Sequence, residues 1–291
     1  MSVRLTEGAY SVLLTPEVGG ALSGAWYSHH GVQWPILRPA GDILQDVTDS
    51  ACFPLAPFCN RLRDGHLGFR GQDVRLPPNM PRQRHPLHGQ AWQEPWILQS
   101  HTSSTATMRF RHSRGHWPWL YEAHQIVEVS ETGIVIALTL TNLDSAPMPA
   151  GIGLHPYFPS TEFTRLRTQV SSVQLTDGDT LATGDTAPAE SAYDLTDRRI
   201  SGSGLDHGFA AWSGELEIIY PDYGVRMTAS PNARWLQVYT PIDEAYFCAE
   251  PVSHANDAFA APETSWSDLG VRVLETGASV QMDMRLQGFQ R

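Results

Sequence analysis

Ile134-Val135-Ile136-Ala137-Leu138-Thr139-Leu140-Thr141 sends Ile134, Ile136, Leu138 and Leu140 to one face of an extended chain and Val135, Ala137, Thr139 and Thr141 to the other. Successive side chains alternate across a strand, so this period of two predicts a strand with one face in a core. The same alternation recurs where Val280, Met282, Met284 and Leu286 interleave with Gln281, Asp283 and Arg285, and again where Met108 and Phe110 interleave with Arg109 and Arg111. Further short runs of this kind fall at 9–14, 124–129, 216–220, 225–229, 235–239 and 246–250. No stretch carries an apolar stripe at helical spacing over three turns. The 24 glycines and 21 prolines are spread along the chain and punctuate the runs. Many short strands separated by such turns predict a large all-β sandwich.

A chain of 291 residues could hold two domains, but all-β folds of this size often form one. The polar stretch 176–204 reads as a long surface loop, since strand patterns flank it on both sides, and one domain over 1–291 is expected. All 20 basic residues are Arg and none is Lys, against 31 Asp and Glu, for a net charge of −11. Without lysine there is no Schiff-base chemistry and no Gly-Lys-Ser/Thr phosphate loop. The acidic balance argues against nucleic-acid and anionic-membrane partners. Cys52, Cys59 and Cys248 lack metal-site spacing and fit a reducing compartment. No signal layout or membrane-length apolar run is present, so a cytoplasmic location is expected.

Chemically useful side chains gather in four clusters, at 58–65, 84–90, 151–159 and 246–251, with a lesser one at 205–209. His85, His155 and Glu250 each precede a proline, which biases them toward extended backbone. Glu250 follows Phe247-Cys248-Ala249, and a carboxylate ending such a strand would sit at the rim of a core. Partial desolvation there raises its pKa toward that of a general base. His155 is a candidate acid near neutral pH. Trp92, Trp96 and Tyr157 could offer flat faces to a sugar ring, although tryptophans also fill cores. Glu250 could instead pair with Arg61. His85 and His88 with Glu94 lack the spacing of a metal site, and none is expected. No Gly-x-Ser-x-Gly elbow occurs.

Taken in order, Asn60-Arg61-Leu62-x-x-Gly65, His85-Pro86-Leu87-His88-Gly89, Gly153-Leu154-His155-Pro156-Tyr157-Phe158 and Glu250-Pro251 resemble the aldose 1-epimerase (galactose mutarotase) family over about positions 10 to 286. The resemblance implies a β-supersandwich that interconverts the α and β anomers of a free aldose. It implies Glu250 as the base at the anomeric hydroxyl and His155 as the acid at the ring oxygen. Asn60, Arg61, His88 and Asp206 are implied as residues that hold sugar hydroxyls, with no metal or organic cofactor. Gln90 after His-Gly, and Gly-Leu-His-Pro-Tyr-Phe in place of Asn-His-Thr-Tyr-Phe, depart from the best-studied galactose enzymes and leave the sugar open.

Other readings bear on the same residues. Arg61, Arg63, Arg70, Arg75, Arg82 and Arg84 crowd one segment and could hold the phosphate of a hexose 6-phosphate. A non-catalytic carbohydrate-binding protein on this scaffold would be expected to lack one of the acid–base pair. A glycoside hydrolase would need Glu250 and Asp206 to flank a bond. A neutral sugar as ligand, and a monomer or homodimer, complete the expectation.

Overall fold

The computed structural model of the chain describes residues 2–41 and 43–291. The two stretches with the clearest alternation are neighbours. The strand Gly133–Asn142 pairs antiparallel with Ser279–Gln290, in a register that sets Ile134 against Leu286, Ile136 against Met284, Leu138 against Met282 and Leu140 against Val280. Two apolar stripes thereby merge into one surface. All eight side chains are buried, each worth roughly 1.5–3 kcal/mol for leaving water.

These strands are central to a nine-stranded antiparallel sheet that runs from Arg198–Arg199 at one edge to Ile97–His101 at the other. Its apolar face packs on an eleven-stranded sheet. The path of that sheet is Val3–Glu7, Tyr10–Thr15, Ala21–His29, Cys52–Leu55, Gly153–Pro159, Tyr246–Val252, Trp235–Tyr239, Asp206–Ala210, Ser172–Thr176 and Ala182–Pro188, with Val32–Leu37 added on Ala21–His29. Apolar side chains of both sheets join in one core, and the buried Gln125 of the smaller sheet donates to the Gly20 carbonyl. The fold is an all-β supersandwich; among the described residues the single α-helix is Glu263–Leu269, and no helix is long and apolar enough to cross a membrane.

Three sequence expectations change. The segment 176–204 contains an edge strand, Ala182–Pro188, that pairs with Ser172–Thr176. Its Thr and Asp side chains are exposed on both faces, which erased the hydropathy alternation that marks half-buried strands. Trp96 belongs to the core: it stacks on Phe110 and donates to the Ala91 carbonyl. Glu250 does not end its strand, which continues to Val252, so it is buried in mid-sheet rather than at a rim.

Candidate functional site

The larger sheet carries one polar row across its width. His155 lies opposite Phe53. The register pairing Gly153 with Val252 and Tyr157 with Cys248 sets His155 opposite Glu250. Glu250 in turn faces Gln237, and Gln237 faces Gly208. Residues opposite one another in a sheet share a face, so these side chains form the floor of one pocket of about 660 Å³. Asp206, two residues before Gly208 on its strand, stands beside this row. All six predicted site residues, Asn60, Arg61, His88, His155, Asp206 and Glu250, line this pocket, as do Trp92 and Tyr157.

The wall opposite Asp206 is the segment 59–64, which has almost no regular structure. Buried backbone donors without a ladder still require acceptors, and every one of them here has one. The Cys59 N–H donates to His254 Nε2 at 2.9 Å, Asn60 to His88 Nδ1 at 3.0 Å and Arg61 to Asn256 Oδ1 at 3.3 Å. Leu62 donates to the Pro86 carbonyl, Arg63 to Asp257 Oδ1 and Asp64 to His85 Nδ1. Asn60 (φ 58°) and His88 (φ 60°) are both left-handed, and the His88 N–H returns a bond to the Asn60 carbonyl. Gly89 (φ 71°) must be glycine, because a Cβ would lie 2.3 Å from the Ala56 carbonyl oxygen.

These bonds fix protons as well as backbone. His88 accepts at Nδ1, so its neutral ring carries hydrogen on Nε2. Burial, with Arg61 and two other imidazoles nearby, holds its pKa well below the usual range. His85, on the pocket wall, likewise spends Nδ1 on the backbone. Among the described residues no cluster of His, Cys, Asp or Glu is placed for a metal.

Arg61 reaches from this wall to Asp206, 3.2 Å away, and to Asn60 Oδ1. Asp206 Oδ1 accepts from Gln237 at 2.8 Å, so both its oxygens are engaged. Arg61 therefore pairs with Asp206, not with Glu250. Glu250 Oε1 instead lies 3.4 Å from His155 Nε2, and Glu250 Oε2 has no hydrogen-bond partner. Only 3% of Glu250 and 8% of His155 are accessible.

Burial penalises the charged form of either group. It lowers His155 to about 3 and pushes Glu250 well above the usual carboxylate range, Asp206 adding to the rise and Arg61 opposing it. Both shifts favour the neutral forms, an imidazole facing a carboxylic acid.

The imidazole of His155 packs against the Phe53 ring at 4.5 Å and the Tyr157 ring at 4.8 Å, two rings that also touch each other at 6.1 Å. Trp92 extends the stack beyond Phe53, and Arg38 beyond Tyr157. Sequence reasoning did not single out Arg38, Phe53, Gln237 or Tyr239, which also line the pocket. Gln237 left a signal, a lone polar residue inside the apolar run 235–239; Arg38, between two prolines, left none.

A galactose mutarotase-like supersandwich with a buried His–Glu pair on the floor of its pocket defines the class of this molecule. The chain belongs to the aldose 1-epimerase family, whose model matches residues 1–287. The uncharacterized protein YphB of Escherichia coli K12 is 30% identical over 255 residues, covering 84% of this chain and 86% of that one. A solved structure from Escherichia coli K12, provisionally named an aldose 1-epimerase, is similar over 100% of this chain and 99% of its own, with 27% identity and a TM-score of 0.90. A galactose mutarotase-like protein from Clostridium acetobutylicum shares the fold at 18% identity and TM-score 0.88, over 100% of this chain and 95% of that one.

Proposed function

We propose that the protein is an isomerase that interconverts the α and β anomers of a free aldose. The observation that carries this reading is the buried pair of His155 and Glu250, 3.4 Å apart. In this reading the sugar sits with O1 and the ring oxygen over the pair, and Arg61 and the sugar's own hydroxyls favour the form in which Glu250 is a carboxylate and its proton has passed to His155, making it imidazolium. Glu250 takes the proton from the O1 hydroxyl as the C1–O5 bond breaks, and His155 delivers a proton to O5. Rotation about C1–C2 turns the other face of the aldehyde inward. Closure returns both protons by the reverse steps, so each group must act as acid and as base. The Nε2–H of His88, Asn60, Arg61 and Asp206 hold the hydroxyls.

The arginine-rich segment supports a neutral sugar over a hexose phosphate. Arg61, Arg63, Arg70, Arg75 and Arg84 each have a carboxylate within 4.0 Å. Only Arg61, Arg82 and Arg84 of the six line the pocket. Engagement of both Asp206 oxygens speaks against a two-carboxylate hydrolase, and the presence of both His155 and Glu250 against a mere binding protein.

The test follows freshly dissolved α-galactose, glucose, arabinose, xylose and glucose 6-phosphate by polarimetry or saturation-transfer NMR. Acceleration over buffer is expected with at least one free aldose. Acceleration of none of the five would overturn the enzyme assignment, and acceleration of the phosphate alone would overturn the neutral substrate.

A further inference from the structure

We propose that Arg38 is a positioning residue that sets the plane of the His155 imidazole through Tyr157. The inference deepens the functional reading above and rests on it only where catalysis is the readout. The three imidazoles around the pocket wall, His85, His88 and His254, are each pinned by a ring nitrogen that accepts a backbone N–H. His155 is not, for its Nδ1 has no hydrogen-bond partner. Its orientation depends on Glu250 at Nε2 and on the rings it packs against.

Phe53 stacks on Trp92, at 5.4 Å and 23°. Tyr157 has Arg38 as its backing. The guanidinium carbon lies 4.0 Å from the Tyr157 centroid and 4.4 Å from that of Tyr246, so the cation packs on both rings, which meet each other edge to face at 5.2 Å. One terminal nitrogen donates to the carbonyls of Thr48 and Ser50, at 2.6 and 2.7 Å. The backbone N–H of Arg38 donates to the Tyr157 carbonyl at 2.8 Å. Arg38 is thereby tied to Tyr157 by both main chain and side chain, and to a third segment of the molecule. A planar, delocalised cation packs flat on aromatic rings in a way that an ammonium does not.

Removing this backing frees Tyr157 to tilt and His155 to follow, which moves Nε2 relative to Glu250 and the ring oxygen. Misplacement of a reacting group by about 1 Å can cost on the order of 100-fold in rate. For R38M the expected result is a kcat lower by about 10- to 30-fold with KM within threefold, because the residue acts on the acid and not on the sugar. R38K, which keeps a cation over the rings but not the planar fit, should recover part of that loss. Y157L should resemble R38M, and the double variant should be no slower than the slower single one, as expected of residues in one chain of contacts.

A readout independent of turnover is the His155 side-chain resonance in heteronuclear NMR, assigned by its absence in H155N. It should shift in R38M while the His254 resonance stays in place. Losses that multiply in the double variant, a raised KM with unchanged kcat, or an unmoved His155 resonance would each overturn the proposal. Should no sugar be turned over by the unmodified protein, the functional reading fails, and the resonance still decides the role of Arg38. If R38M does not fold, R38K carries the same comparisons.

Discussion

Glu250→Gln separates chemistry from stability more sharply than any other single change. The amide keeps the shape of the carboxyl at a site only 3% accessible, but it cannot take a proton from the anomeric hydroxyl. A positioned base contributes on the order of 10²- to 10⁴-fold, so kcat should fall by that factor, equivalent to roughly 3–5 kcal/mol of barrier. Sugar binding, held by His88, Arg61 and Asp206, should change little. Stability should move the other way. Burial raises Glu250 well above 4.5 in the folded protein, so above that pH the native state keeps a proton that the unfolded chain has released. The native state then binds more protons than the unfolded one, and wild-type stability falls as pH rises, by up to about 1.4 kcal/mol per unit from one titrating group until the folded-state pKa is passed. Gln at 250 removes that loss. Urea unfolding at pH 5, 6 and 7 should therefore show the variant gaining on the wild type as pH increases, while polarimetry shows it inactive. A variant within threefold of wild-type rate would mean that Glu250 is not the base. A stability difference independent of pH would mean that the carboxyl is not held protonated by burial.

The remaining expectations follow from the same geometry. Because burial depresses His155 to about 3, its ring signals in an NMR pH titration should show no midpoint between pH 5 and 7; one near 6.5, as for an unperturbed imidazole, would contradict the depression. His254, lowered to about 4 by burial, accepts the Cys59 N–H and donates to the Ala255 carbonyl. Its folded-state pKa lies below the unfolded value, so its contribution is full above about 6.5 and is lost as pH falls through about 4. H254Q should accordingly flatten the acid limb of a stability-versus-pH curve while lowering stability at pH 7. Gly89→Ala, with its Cβ 2.3 Å from the Ala56 carbonyl and φ at 71°, should cost about 2–4 kcal/mol in denaturant melts and displace His88. D206N should raise KM more than it lowers kcat, since Asp206 is engaged by Arg61 and Gln237 rather than by the proton-transferring pair.

Part of the site was legible because its residues sit in short motifs with unusual local chemistry: Asn60 and Arg61, His88 before Gly89, and His155 and Glu250 before their prolines all line one pocket. The backing was not legible. The acceptors for the N–H groups of 59–64 come from positions 85–88 and 254–257, and Arg38 reaches Tyr157 from a separate strand end. No local pattern links such partners.

The sandwich itself was written in the chain, because a strand with one wet face must alternate, and the stretches at 134–141 and 280–286 do so. Where both faces are covered, the alternation disappears. Gly153–Pro159 and Tyr246–Val252 are buried almost throughout, one side toward the core and the other toward the pocket. Hydropathy then cannot tell which side a residue takes. The register between strands decided it, bringing His155 opposite Glu250 from 95 positions away in the chain and placing Gln237 and Asp206 beside them. Register is a property of paired strands, fixed by the packing of the whole sheet, and it brought separate motifs to one pocket.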